Sequence, residues 1–341
     1  MRLVRPVEPR DLPSLLALAQ HMGPGMTTLP ADPEVLARKV DASVASFSGT
    51  IGRTEASYLL VLEDDQTPGI MGTAALYAHV GSPFGFFSYK RLRLIQRSQA
   101  LAINCEVEML ALANDYTGTT EVGTLAVAPH LKGTGAGRLL ARSRYMLAAS
   151  FPDLFSPLLM AEMRGWQDDN GHSPFWDAVG AQFFNMDFAT ADTFSARRGS
   201  DFISELLPKH PVYIGLLPEA TRDVIGRPHR DSAPALAMLR AEGFRYEGFV
   251  DVFDAGPQVH CDRASIATVK QSRSAPVASS ITGQLADASE YLVCNNDLAR
   301  FRVLAARGHA ADDGFGVEEP VMRALGVEQS DLVRYSPLEL A

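Results

Sequence analysis

The stretch that constrains this chain most is a strand-like run, Val122-Gly123-Thr124-Leu125-Ala126-Val127, leading through Pro129 into Lys132-Gly133-Thr134-Gly135-Ala136-Gly137. Behind it Leu139, Leu140, Met146 and Leu147 fall at i, i+1, i+7 and i+8, as on one face of an amphipathic helix. A strand, a glycine loop and a helix start in that order make an anion site. Glycine admits a close backbone approach, and the first helical N–H groups have no acceptor within the helix. Three glycine-rich patterns compete here. A Walker loop ends in Gly-Lys-Ser/Thr, but Gly137 is followed by Arg138 and Leu139. A dinucleotide fingerprint needs Gly-x-Gly-x-x-Gly, and its third glycine falls on Arg138 or Leu140. What does match is a basic residue, then x-x-Gly-x-Gly, with Lys132, Gly135 and Gly137 in those places. A plain strand-to-helix turn accounts for the same letters, so the loop needs its context.

That context is an alternation of strands and helices. Leu3 to Val7 reads as an opening strand, and Pro9-Arg10-Asp11 caps a helix through Leu12, Leu15, Leu16 and Leu18. Gly23, Pro24, Gly25 and Pro30 mark a loop, and a second helix covers Glu34 to Phe47. Tyr58 to Leu62 and Ile70 to Leu76 are strands joined by the turn Asp64 to Gly69. The first is apolar at every position, which requires burial on both faces. Residues 84–113 give no periodicity that decides between helix and strand, and Leu158 to Met163 is a further strand. Two units echo each other: Ser173-Pro174 opens a helix closed by Gly180 before Phe183 and Phe184, and Ser232-Ala233-Pro234 opens one closed by Gly243 before Phe244 and Tyr246. They suggest a weak internal duplication, with a break near 190–200. After Gly256-Pro257 the character changes. Short runs at Tyr291–Cys294, Phe301–Ala306 and Leu332–Tyr335 surround a Ser- and Ala-rich stretch near Ser272 to Ser280, with a short helix at Val321 to Leu325. This gives two regions, 1–256 and 257–341, the second a small β-rich, barrel-like domain.

Composition narrows the class. With 31 basic against 40 acidic residues the net charge is -9, which argues against a general nucleic-acid surface while leaving room for a local anion site. No apolar run reaches membrane-spanning length, and the first residues carry no signal-peptide pattern. Cys105, Cys261 and Cys294 show no paired spacing, which fits a reduced cytoplasmic location; each reads as a packing residue before a nucleophile. The eight histidines show no metal-ligand spacing, so no metal is expected.

Longer motifs carry a resemblance to a known family. Arg5-Pro6-Val7, Ala161-Glu162-Met163-Arg164-Gly165, His172-Ser173-Pro174-Phe175-Trp176 and Met186-Asp187-Phe188 look like arginine N-succinyltransferase. So do Pro208-Lys209-His210-Pro211, Val224-Ile225-Gly226, Ser232-Ala233-Pro234-Ala235, Glu242-Gly243-Phe244-Arg245 and Asp254-Ala255-Gly256-Pro257. The resemblance covers residues 1–272 well and the remainder loosely. It departs at Lys132, where such loops more often carry Arg or Gln, and near Asp312 to Pro320.

The resemblance implies an α+β, GNAT-like mixed sheet flanked by helices, with a second GNAT-like half as a further expectation. It implies succinyl transfer from succinyl-CoA to the α-amine of L-arginine by direct attack on the thioester, with no permanently bound cofactor. On that model Lys132, Gly133, Gly135 and Gly137 hold the coenzyme A pyrophosphate, Leu125 contacts succinyl-CoA, and His229 donates a proton. Read from the residues alone, Leu125 is a core leucine and His229 a capping histidine. Lying before a helix start, its ring is expected to be neutral at rest. Charge complementarity asks for carboxylates facing the guanidinium and a cation facing the succinyl carboxylate; Glu121, Glu162, Asp115 and Arg164 are candidates, none preferred over a surface role. Two other readings remain: a GNAT enzyme using acetyl-CoA or ornithine, and a non-catalytic paralogous subunit of a heteromer. A homo-oligomer is the other expected assembly.

Overall fold

Five consecutive apolar residues, Tyr58 to Leu62, can be hidden only in a sheet covered on both faces. The computed structural model describes residues 1–22, 28–188, 190–191, 205–278 and 288–339, and it buries all five. In chain order the elements are β1 (Arg2–Pro6), α1 (Leu12–Met22), α2 (Pro33–Phe47), β2 (Ser57–Asp64), β3 (Thr67–Tyr77), β4 (Ser88–Ser98), β5 (Ile103–Ala113), β6 (Thr120–Val127), α3 (Ala136–Ser150) and β7 (Leu158–Glu162). There follow α4 (Ala181–Phe184), β8 (Val212–Tyr213), α5 (Glu219–Arg222), α6 (Ala233–Ala241), β9 (Arg245–Val250), β10 (Pro257–Asp262) and α7 (Ala267–Gln271). The last are β11 (Arg273–Pro276), β12 (Ser289–Asn295), β13 (Val303–Ala311), β14 (Gly314–Val317), α8 (Glu319–Leu325) and β15 (Leu332–Pro337).

The strands form one mixed sheet in the order β11-β15-β12-β13-β1-β2-β3-β6-β7-β10-β9-β4-β5-β8, with β14 on β13. Alternation along β2 sends Tyr58, Leu60 and Leu62 to the face covered by α3, where they meet Leu140, Met146 and Leu147. Leu59 and Val61 go to the opposite face, against Leu15 and Leu18 of α1 and Leu36 and Val40 of α2. No helix among the described residues is long and apolar enough to cross a membrane.

Four sequence expectations change. First, residues 84–113 form a long antiparallel hairpin, in register from Ser88↔Ala113 to Ser98↔Ile103. Neither face of its outer half is buried: one carries Arg91–Glu108 at 2.6 Å and Arg93–Glu106 at 3.2 Å, the other the exposed Leu92 and Leu94. Without a core-facing side, its alternation carries little weight. Second, the helix after Ser173-Pro174 runs through Gly180 and ends at Asn185, which takes the left-handed conformation (φ 49°). Glycine is needed at 180 because a Cβ there would lie 2.3 Å from the Trp176 indole. The α6 unit leads directly into β9, whereas most of the chain that follows α4, at 189 and 192–204, lies outside the described residues.

Third, the C-terminal strands extend the main sheet: β13 pairs with β12 and also with β1, through Leu304↔Leu3 and Val303↔Val4. The sheet is not closed into a barrel; a single bridge, Val277↔Phe315, joins the end of β11 to β14. Fourth, β10 begins at Pro257 and pairs with both β7 and β9, so the central sheet continues past the change of character at residue 256. Gly23, Pro24 and Gly25, most of the break near 190–200, and Ser279 and Ser280 lie outside the described residues.

Candidate active site

The site forms where two parallel strands part. β6 and β7 are paired only at Thr120↔Leu159 and Glu121↔Met160, and beyond Glu121 they separate. On the other side of β6, the pairing with β3 steps from Thr73↔Ala126 to Ala75↔Gly123. Thr124 and Leu125 therefore face Ala74 together as a β-bulge, with Thr124 at a φ of 52°. The Thr124 hydroxyl lies 2.6 Å from the Tyr77 hydroxyl, and Arg144 of α3 donates to the Gly123 carbonyl at 3.1 Å. A bulge breaks the hydrogen-bond ladder locally and turns backbone groups out of it. The Leu125 side chain packs against the core on the α3 side.

The glycine loop follows at the same end of β6. Gly133 and Gly135 adopt positive φ, 79° and 84°, and Gly135 is the N-cap of α3 with no side chain to cap it. A Cβ built on Gly133, Gly135 or Gly137 would meet nothing within 4 Å among the described residues. Protein packing thus does not demand these glycines, and at Gly137, inside the helix, glycine sacrifices up to roughly 1 kcal/mol of helix propensity relative to alanine. Room beside bare helical N–H groups is what a phosphate needs. Arg2 holds the loop to β1 by donating to the Thr134 carbonyl at 2.9 Å, and Lys132 is exposed at its edge.

Acidic groups gather at the parting of the strands. Val122, Leu159 and Ala161 face α3, so Glu121 and Glu162 project from the opposite face. Burial pushes the Glu121 carboxyl up to about 7, against the pull of Lys39 and Arg144. Glu162 is solvent-exposed as a whole residue, yet desolvation of its carboxyl, then the charges of Asp251 and Glu121, raise it above the ordinary carboxylate range. Gln258 of β10 donates to Glu162 at 2.6 Å, and its own buried carbonyl oxygen has no donor among the described residues. An open cleft of about 400 Å³ next to Glu121 is lined also by Lys39, Tyr77, His79 and Phe86. A larger hollow, about 660 Å³, lies at Arg5, Asp11 and Glu63, but those side chains satisfy one another: Arg5 bonds Asp11 at 2.7 Å and Glu63 at 2.8 Å. Glu121 is the candidate residue that lines the smaller cleft.

His229 enters from the far side of β7. Its N–H donates to the Arg164 carbonyl at 2.7 Å, and the adjacent Pro228 bridges to Gly165. The ring is 7% exposed and its Nδ1 accepts from the Asp231 N–H at 3.2 Å, which leaves the proton on Nε2. Its pKa is lowered, as its place before a helix suggested, but the cause is burial followed by the charge of Arg164. Of the four charged candidates from the sequence, Glu121 lies on β6, Glu162 ends β7 and Arg164 follows two residues later. Asp115 is instead an exposed partner of Lys90 at 3.7 Å. Sequence reading missed Gln258 and Asp251, which reach Glu162 only through the β7–β10 pairing and the turn after β9. Cys261 and Cys294 are buried with raised pKa, Cys294 to about 11, and Cys105 is exposed on the β4–β5 hairpin. Burial that disfavours a thiolate leaves the two buried cysteines as packing residues.

A bulged strand parting from its parallel neighbour, with an open glycine loop at the helix start behind it, defines a GNAT-type acyltransferase. The chain belongs to the arginine N-succinyltransferase family: the model for the arginine N-succinyltransferase beta subunit matches residues 2–268, and the one for its C-terminal domain matches 273–337. It is 37% identical to the arginine N-succinyltransferase of Escherichia coli O139:H28 over 334 residues, 98% of this chain and 97% of that one. The Shigella flexneri protein of the same name matches equally. Among solved structures, arginine/ornithine succinyltransferase subunit AI from Pseudomonas aeruginosa superimposes with a TM-score of 0.88 at 31% identity, covering 99% of each chain.

Proposed function

We propose that the protein transfers the succinyl group of succinyl-CoA to the α-amine of L-arginine, giving N2-succinyl-L-arginine and CoA. Membership of the family along nearly the whole chain supports the reaction. The observation that carries the substrate is the pairing of Glu121 and Glu162 at the strand parting, where the neighbours raising the Glu162 pKa are further carboxylates. Crowded carboxylates are relieved by a cation, and a guanidinium brings a permanent one with planar donors.

In this reading the loop from Lys132 to Gly137 holds the pyrophosphate on the bare N–H groups of α3, and the pantetheine runs past Leu125 into the gap. The amine nitrogen attacks the thioester carbonyl, the C–N bond forms, the C–S bond breaks, and the amine gives up a proton. The departing thiolate takes a proton from Nε2 of His229. The proton that the amine releases replaces the one Nε2 gives up, so the ring is neutral before and after the reaction. We place the reaction in the cytoplasm, in keeping with unpaired cysteines.

The test crosses succinyl-CoA and acetyl-CoA with arginine, ornithine, lysine and norleucine, reading released thiol. Arginine with succinyl-CoA should turn over fastest, and neutral norleucine should be rejected, because it leaves buried polar groups unpaired. Absence of thiol release with arginine, or norleucine turnover near that of arginine, overturns the proposal.

A further inference from the structure

The guanidinium groups buried among the described residues have acceptors, whereas the half-buried Arg164 is only partly matched. Arg5 bonds Asp11 and Glu63; Arg142 bonds Thr268 and the carbonyls of Pro337 and Leu338 and pairs with Glu242; Arg144 bonds the carbonyls of Ala141 and Gly123. Arg164, half-buried, has no carboxylate within 4.0 Å among the described residues. Its Nη2 donates to the Gln167 side-chain oxygen, but its Nε and the Gln167 amide nitrogen are enclosed and without acceptors. Gln167 is 6% exposed. Leaving such donors unmatched is costly, more so for the charged one. Enclosed donors are normally matched, so the open bonding of Arg164 and Gln167 suits an anion that the chain itself does not supply.

Its placement says which anion. Met163 packs into the core on the α3 side, so Glu162 and Arg164, on either side of it, share the opposite face, about 7 Å apart along an extended backbone. The segment is clamped. Asp254 accepts from Gly165 at 2.7 Å and from Gly256 at 2.8 Å, and a Cβ on Gly165 or Gly256 would lie 2.3 Å or 2.0 Å from backbone oxygen. The Arg164 carbonyl in turn holds the backbone of His229. A fixed cation thus stands between the carboxylates and the proposed proton donor.

We infer that Arg164, braced by Gln167, is a binding site for a substrate carboxylate within the acyltransferase site. This rests on the reaction proposed above, which offers two such groups: the free carboxylate of the succinyl moiety and the α-carboxylate of arginine. Selectivity separates them. Initial rates are measured for wild type, Arg164→Gln and Arg164→Lys with succinyl-CoA against butyryl-CoA, and with arginine against argininamide; CoA titration and thermal melts accompany each variant.

If the acyl carboxylate is bound, Arg164→Gln lowers the preference for succinyl-CoA over butyryl-CoA by about 10- to 100-fold, the range for a charge-assisted hydrogen bond. If the acceptor carboxylate is bound, the preference for arginine over argininamide falls by that factor instead. Arg164→Lys keeps the charge without the fork and should fall between. Retention of both wild-type preferences in either folded variant overturns the assignment. Inactivity of the wild type with succinyl-CoA and arginine would overturn the underlying reaction instead.

Discussion

Two helix starts stand at the site, and they treat their backbone donors in opposite ways. At α3, Gly135 takes a left-handed conformation and offers no side chain, so the N–H groups behind it point into open space. At the α6 start the donors are used up: Asp231 N–H goes to His229 Nδ1, Ser232 N–H to the His229 carbonyl, Ala233 N–H to the Arg230 carbonyl, and Pro234 has none. One start leaves its donors open, in keeping with the pyrophosphate site proposed above, and the other spends its donors on orienting a ring. Both contain glycine or proline and small residues in sequence, but only the first is shaped for an anion.

The hardest blow to this contrast falls on the oriented ring. His229→Ala should lower kcat by roughly 10²- to 10⁴-fold, the range for a general acid–base group, while CoA affinity stays near that of wild type. Steady-state kinetics with a thermal melt reads it; a folded variant within about threefold of wild-type kcat would remove His229 from the rate-limiting step. Next comes the open start. Gly135→Val forces a β-branched residue to a φ of 84° and fills the space above the N–H groups, so CoA should bind about tenfold more weakly or worse by calorimetry. Unchanged affinity would move the pyrophosphate elsewhere.

The smallest effect is a pH dependence of stability. The imidazole of His229 titrates below its ordinary 6.5 in the folded chain and near that value when unfolded. Below pH 6.5 the unfolded chain then binds more protons, so the neutral ring's contribution is complete above 6.5 and is lost as pH falls toward the folded pKa. Melting temperatures of wild type and His229→Gln between pH 5 and 8 should therefore show the wild type losing ground on the acid side. A constant difference across that range would mean that burial leaves the ring's titration unchanged.

Much of the fold was legible because one-dimensional signals acted locally. The all-apolar run at Tyr58 to Leu62, the strand before the glycine loop and the spacing of Leu139, Leu140, Met146 and Leu147 each had a single cheap explanation, burial. The β4–β5 hairpin was not legible, since both faces of its outer half meet solvent. Gly180 misled because glycine ends helices more often than it makes room for an indole, here that of Trp176. At the site, the loop could be read from its letters, and Glu121, Glu162 and Arg164 could be listed but not ranked. What ranks them is non-local: the parting of β6 from β7, the Gln258–Glu162 bond, and the lack of a counter-ion beside Arg164.

The buried Arg142 has a wider consequence. From the cofactor helix α3 it reaches the Pro337 and Leu338 carbonyls beside β15, Thr268 of α7, and Glu242, which itself accepts from the Thr268 N–H and hydroxyl. Those partners come from three separate stretches of the chain, one of them near its final described residues. The strands after residue 272 are therefore no detachable appendage. Cutting them away would strand a buried guanidinium and strip β13 from the free edge of β1. Trimming this chain before β12 would thus disturb the helix behind the glycine loop as well as the sheet.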